Sequence, residues 1–172
     1  MSATAAPVAP SAPSSSPQIN PKLIVPFVNS VRSVFSTMVK VATTVERPHL
    51  KGSPTPSYDV SGIIGFSGEV IGSVVLSFQM KAAEKLVEGF AGSALDPYSA
   101  DFADAVGELA NMVAGAAKKD LGATASISTP SVVMGAGHTI ARLSDVPCVV
   151  IPVKTPVGDF AVEISIKTVK AA

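Results

Sequence analysis

Cysteine, tryptophan, net charge and long apolar runs are what this chain is short of, and each shortage excludes something. There is one cysteine, Cys148, in 172 residues, so no intrachain disulfide can form. No Cys/His spacing has the form of a zinc site. Cys148 lies in the apolar run "VPCVVIPV", where a buried, inert thiol is expected rather than a nucleophile. Trp is absent and aromatics make up 5% of the chain, too few for a base-stacking platform. The formal net charge is zero, and neither a basic patch nor an acidic tail stands out. Nucleic acid is therefore not an expected partner. No apolar run approaches the ~18 residues of a bilayer-spanning helix, so a membrane is not expected either. The opening "MSATAAPVAPSAPSSSP" has no charged stretch followed by an apolar one, which argues against a secretory signal. A cytoplasmic location is the expectation.

What the chain does have is apolar bulk: 47% hydrophobic against 15% charged residues, enough to bury a sizeable core. Residues 1–20 are almost entirely Ala, Pro and Ser and cannot offset the entropy of ordering, so they read as a disordered tail before a domain of residues 21–172. Ile24, Phe27, Val31, Phe35, Met38 and Val39 then recur at helical spacing. Pro26 fits only a first turn, so the helix is expected to start near it. "VATTVERPHLK" is β-branched and reads as a strand, at an edge because of Pro48. "GSPTPS" reads as a loop. "YDVSGIIGFSGEVIGSVVLSFQM" reads as a β-hairpin turning at Gly68, with Gly62, Gly65 and Gly72 marking bulges or close backbone approach. "KAAEKLVEGFAG" reads as a helix burying Ala83, Leu86, Val87 and Phe90 and ending at Gly92. A second helix is expected to be capped by Asp96, with Pro97 in its first turn, and to end at Lys118, Lys119 and Gly122. "ATASIST", "SVVMGAGHTI", "VPCVVIPVK" and "DFAVEISIKTV" read as strands, the last two joined by a turn at "TPVG". The order predicts an α+β domain: a largely antiparallel sheet, an N-terminal helix and a central helix pair.

The second helix contains "DAVGELANMVAG", residues 104–115. At about 100° per residue, Asp104, Glu108, Asn111 and Gly115 fall within about 60° of one another, on one narrow line. Phe102, Val106, Leu109 and Val113 cluster opposite, so the apolar side packs and the polar line faces out. Gly107 and Gly115 each cost ~1 kcal/mol relative to Ala inside a helix. With Ala105, Ala110 and Ala114 they leave Glu108 and Asn111 standing above a low surface, which suits close approach by another body. The same pattern is also that of an ordinary exposed face with small residues. Asn does not titrate and cannot be a general base, but it can hold a water in line with phosphorus. A carboxylate one turn away can pair with a partner's Lys. No Gly-rich phosphate loop precedes the helix, so any metal or cation for phosphoryl chemistry has to come from the partner.

At these residues the chain resembles the CheC/CheX/FliY family of chemotaxis phosphatases, and CheX most. The family motif is Asp or Ser, three residues, Glu, two residues, Asn, and a Pro about twenty residues on. Asp104, Glu108, Asn111 and Pro130 match it. The likeness continues through "DVSGIIGFSGEVIGSVVLSF", "STPSVVMGAGH" and "PVKTPVGDFAVEISI" and spans roughly residues 22 to 168. It implies a CheC/CheX-like fold and hydrolysis of the aspartyl phosphate of a CheY-type response regulator. Glu108 would pair with the regulator's active-site Lys and Asn111 would orient the attacking water. Asp104, Met112, Gly115 and Pro130 would contact the partner. The chain would carry no cofactor of its own, the Mg²⁺ belonging to the regulator. One motif rather than two fits CheX, and CheX-like proteins imply a homodimer, with edge strands as the contact. The Ala/Pro/Ser tail is an addition to the compact family domain.

The remaining candidates are weaker. His138 in "GAGHT" and His49 beside Pro48 have no Cys, Asp or Glu cluster near them and read as turn or strand residues. "GAGHT" does not lie between a strand and a helix, as a nucleotide loop would. Ser126, Ser128 and Ser131 show no nucleophile-elbow pattern. The competing functional class is a non-catalytic adaptor or flagellar-switch module with the same fold, since fold does not fix function.

Overall fold

Asn20 opens the first helix by accepting a hydrogen bond on its side-chain oxygen from the Lys22 N–H at 3.1 Å, with Pro21 in the first helical position. In this computed structural model, which describes residues 19–52, 58–142 and 145–169, that helix (α1) is Pro21–Val34. It starts five residues before Pro26, which is buried within it. The Asn20–Pro21 pair is the stronger start signal, and the missing N–H of Pro26 costs one helical bond close to the N-terminus. One π turn, Phe35–Val39, continues α1 and ends at Lys40 with φ 60°. The sequence expectations for residues 1–18 and 53–57, the tail and most of the "GSPTPS" loop, lie outside the described residues.

The expected edge strand at 41–51 is two fragments, β1 (Thr44–Val45) and β2 (His49–Leu50). Pro48, in the gap between them, has no N–H to give a ladder. Both pair antiparallel with β7 (Val149–Lys154). The hairpin is β3 (Val60–Gly68) and β4 (Val70–Phe78). Its register runs unbroken from Val60↔Phe78 to Phe66↔Gly72, so none of its glycines is a bulge; Gly62 and Gly72 mark close approach, while Gly65 has only ordinary contacts. A Cβ on Gly62 would stand 2.9 Å from Ala110 Cβ and 3.2 Å from the Val106 carbonyl oxygen, which places a helix directly on β3. The helix pair is α2 (Met80–Ala91), closed by Gly92 at φ 80°, and α3 (Ala100–Asp120).

The cap of α3 is Ser99, not Asp96: the Ser99 hydroxyl accepts from Phe102 N–H at 3.1 Å. Asp96 instead holds the preceding turn, accepting from Tyr98 N–H at 3.0 Å. Two short strands follow, β5 (Ala125–Ile127) and β6 (Ser131–Met134), and after β7 the nine-residue β8 (Phe160–Thr168) closes the fold. "SVVMGAGHTI" is strand only as far as Met134; Gly135 and Gly137, at φ 142° and 72°, turn the chain away. Sheet order is β1-β7-β8-β4-β3-β5, with β2 also on β7 and β6 also on β3, every pair antiparallel. The α+β architecture expected from the sequence is the one observed.

One face of the sheet carries α1 and α3, whose apolar sides, Phe27 of α1 included, meet Phe66, Phe78, Phe160 and Ile164 in one core. Phe35 stacks on Phe160 at 4.5 Å, and the buried Ser30 hydroxyl donates to the Val113 carbonyl at 2.5 Å, tying α1 to α3. The other face is polar at its centre. Ser61, Ser77, Glu163 and Ser165 are buried there. His138 and Val146 lie against it: His138 Nε2 meets the Ser61 hydroxyl at 2.8 Å, and the Ser165 hydroxyl donates to the Val146 carbonyl at 3.2 Å.

Candidate functional site

Helix α3 is fixed on its apolar side before its polar side is considered. Phe102, Val106, Leu109 and Val113 are buried, as their spacing requires. Asp104 and Glu108 are exposed, and Asn111 and Gly115 are half-buried on the outer side. Asn111 Nδ2 donates to Glu108 Oε2 at 3.4 Å, so the amide and the carboxylate form one unit directed outward.

Pro130 joins them from a different part of the chain. It sits in the link between β5 and β6 and rests on Gly107. Ala103, Asp104, Gly107, Glu108, Pro130 and Val132 together line a shallow depression of about 370 Å³. Three sequence-selected residues, Asp104, Glu108 and Pro130, thus share one hollow, with Asn111 bonded to its rim. Gly115 lies further along α3, beneath Ile127. Met112 is half-buried and packs against the core, so packing is its main role here.

The small residues of α3 need a correction. Ala110 and Ala114 are buried, and Gly107 is covered by Pro130 and Val132. Their lack of bulk serves the seating of α3 on β3 and of the β5–β6 link on α3. A low surface for an outside body is left only around Glu108, Asn111 and Gly115.

Chemically, the pair offers one acceptor-only carboxylate and one amide with a donor and an acceptor end. Among the described residues no three His, Cys, Asp or Glu side chains gather to hold a metal. His138 is a turn residue: Nδ1 faces the Gly135 carbonyl at 2.7 Å and therefore carries the hydrogen, leaving Nε2 to accept from Ser61 in the neutral ring. Burial pushes the Cys148 thiol up, in keeping with an unreactive sulfur. Among the described residues no helix is long and apolar enough to cross a membrane.

Sequence reading missed a buried ionic cluster behind the sheet. Glu163, 5% exposed, accepts from Lys51 Nζ at 2.9 and 3.0 Å, and also from Arg142 Nη2. Glu163 lies 112 and 21 positions from these partners, so no local pattern could pair them.

The family model described as "Chemotaxis phosphatase CheX" matches residues 60–154, more than half of the chain. A CheC-like superfamily protein from Shewanella sp. PV-4 is 33% identical, with 87% of this chain and 99% of that one covered and a TM-score of 0.79. Chemotaxis protein CheX from Desulfovibrio desulfuricans is 34% identical over 86% of this chain and 99% of its own, at a TM-score of 0.78. A CheX–CheY–BeF3–Mg²⁺ complex from Borrelia burgdorferi shares the fold, with 23% identity over 84% and 97% of the two chains and a TM-score of 0.72. No curated protein sequence matches significantly. With the α+β fold, the outward Glu–Asn pair and these likenesses together, the chain belongs to the CheX family of chemotaxis phosphatases.

Proposed function

We propose that this chain hydrolyses the aspartyl phosphate of a CheY-type response regulator in the cytoplasm, with α3 as the docking helix. The observation that carries the reading is the exposed Glu108–Asn111 pair, bonded at 3.4 Å on a helix that is immobilised from behind. The Borrelia relative, solved as a complex with CheY, supports the choice of partner class.

In this reading Glu108 pairs with a lysine of the regulator, and Asn111 enters the phosphorylation site. The Asn111 amide aims one water at phosphorus. Water oxygen bonds to phosphorus as the aspartyl C–O–P linkage opens at its P–O bond. The aspartate leaves as a carboxylate and the water's proton ends on inorganic phosphate. Phosphoryl transfer of this kind asks for positioning and charge stabilisation more than for a base, which suits an amide that cannot titrate. In this reading Mg²⁺ belongs to the regulator, where it would neutralise the phosphoryl oxygens. Asp104, Pro130 and the exposed part of Met112 and Gly115 would border the contact. The short strands at the two edges of the sheet are the surfaces on which two copies would pair, a point for light scattering.

The test is phosphate release from a phosphorylated CheY-type regulator mixed with the purified chain. Accelerated release that is lost in Asn111→Ala supports the proposal. Stable binding without acceleration would replace it with an adaptor role.

A further inference from the structure

We infer that Gly107 is a positioning residue for docking, acting through Pro130. This rests on the reading of α3 as the helix that meets the regulator. A Cβ built on Gly107 would stand 3.2 Å from Pro130 Cγ, 3.3 Å from Pro130 Cβ and 3.5 Å from Val132 Cγ2. The missing side chain is what allows the proline ring to rest on the helix.

Nothing else accounts for a glycine here. Its φ is not positive, so the backbone conformation does not call for one. Alanine would be the better helix former at this position.

The link that carries Pro130 is also fastened from the opposite side. Ser128 N–H donates to the Gly65 carbonyl at 2.9 Å, and the Gly65 N–H donates to the Ser128 hydroxyl at 2.9 Å. That hydroxyl in turn donates to the Thr129 carbonyl at 2.8 Å. Residues 128–130 are therefore held between β3 and α3. Pro130 becomes a fixed wall of the hollow that Asp104 and Glu108 also line. A methyl group at position 107 asks Pro130 to give by a few tenths of an ångström, and with Ser128 tied to Gly65 the ring rather than the whole link takes up that shift. It displaces the proline ring and changes the opening beside Glu108. The chemistry of Asn111 is untouched, but the approach of the partner is not.

The experiment measures dephosphorylation of an acetyl-phosphate-loaded CheY-type regulator by the full chain, across a range of regulator concentrations. Gly107→Ala should raise KM about tenfold, the scale of a small misplacement at a docking site. Its kcat should stay within about twofold. Its thermal midpoint should be equal to or above that of the parent, since alanine favours the helix. Ser128→Ala, which removes the hydroxyl half of the other fastening and keeps the backbone half, should move KM in the same direction by less. On a Pro130→Gly background, Gly107→Ala should add little, because the wall it acts through is gone. An unchanged KM in Gly107→Ala with an active parent overturns this inference alone. So does a KM rise that follows a falling midpoint, or full additivity with Pro130→Gly. An inactive parent overturns the phosphatase reading, and this inference with it.

Discussion

Asn111 donates an amide hydrogen to the Glu108 carboxylate across one turn of α3, at 3.4 Å. An ionised carboxylate only accepts, so it selects the NH₂ end of the amide and leaves Oδ1 free to receive a water hydrogen. Glu108 thus bears on both encounter and aim.

The two roles separate kinetically. Asn111→Ala should lower kcat by about 10²- to 10³-fold, the cost of removing one preorganised polar group from a transition state. Its affinity for the regulator should remain within about twofold. Glu108→Ala should act mainly on KM, with a smaller fall in kcat because the Asn111 amide loses its anchor. Steady-state phosphate release together with a binding isotherm checks both, and wild-type turnover in the double variant would refute the site.

Glu163→Gln removes the anion that two buried cations share. Lys51 and Arg142 have side chains 11% and 12% exposed, so each would be left partly desolvated without its counter-charge. The expected loss is about 3–5 kcal/mol, read from urea denaturation. A loss below about 1 kcal/mol, the value typical of surface pairs, would show that the cluster is effectively solvated.

Gly62→Ala should lift α3 from the sheet, because the new methyl would meet Ala110 Cβ at 2.9 Å. Overpacking of this kind costs about 1–3 kcal/mol. Since α3 carries the polar pair, phosphatase activity should fall with stability. Hydrogen exchange along α3 reports the displacement directly, and unchanged protection there would exclude it.

Cys148 should resist alkylation in the folded chain. Burial pushes its thiol up, so the folded state favours the neutral form. The stabilisation is present below the ordinary thiol range and is lost as pH rises through the folded value, where the unfolded chain is already ionised. Iodoacetamide labelling at pH 8.5 should be about tenfold slower in buffer than in urea. Equal rates would mean an accessible thiolate.

What could be read from the sequence was what is local. Period-3.6 apolar spacing placed α2 and the inner face of α3, and the two Val/Ile-rich runs flanking Gly68 placed the β3–β4 hairpin. The outward line of Asp104, Glu108 and Asn111 followed from the same arithmetic. Helix starts were less legible because several residues competed for the cap. Asn20 and Pro21 outcompeted Pro26, and Ser99 outcompeted Asp96, whose side chain was already engaged by Tyr98. The edge strand broke at Pro48 into two fragments that survive only by leaning on β7. Glycines were flagged, but their partners were not, since Gly62 meets Ala110 and Gly107 meets Pro130 only after the chain has folded. The buried cluster of Lys51, Arg142 and Glu163 left no local trace for the same reason.

The hydroxyl of Ser30 reaching across to Val113, with α3 seated directly on Gly62 of β3, has a kinetic consequence for the face those contacts support. Neither Glu108 nor Asn111 is carried by a loop. Complex formation therefore has no backbone to order, and its entropy cost falls on a few rotamers. Recognition through such a surface should be fast and nearly rigid on this side, leaving any slow rearrangement to the partner.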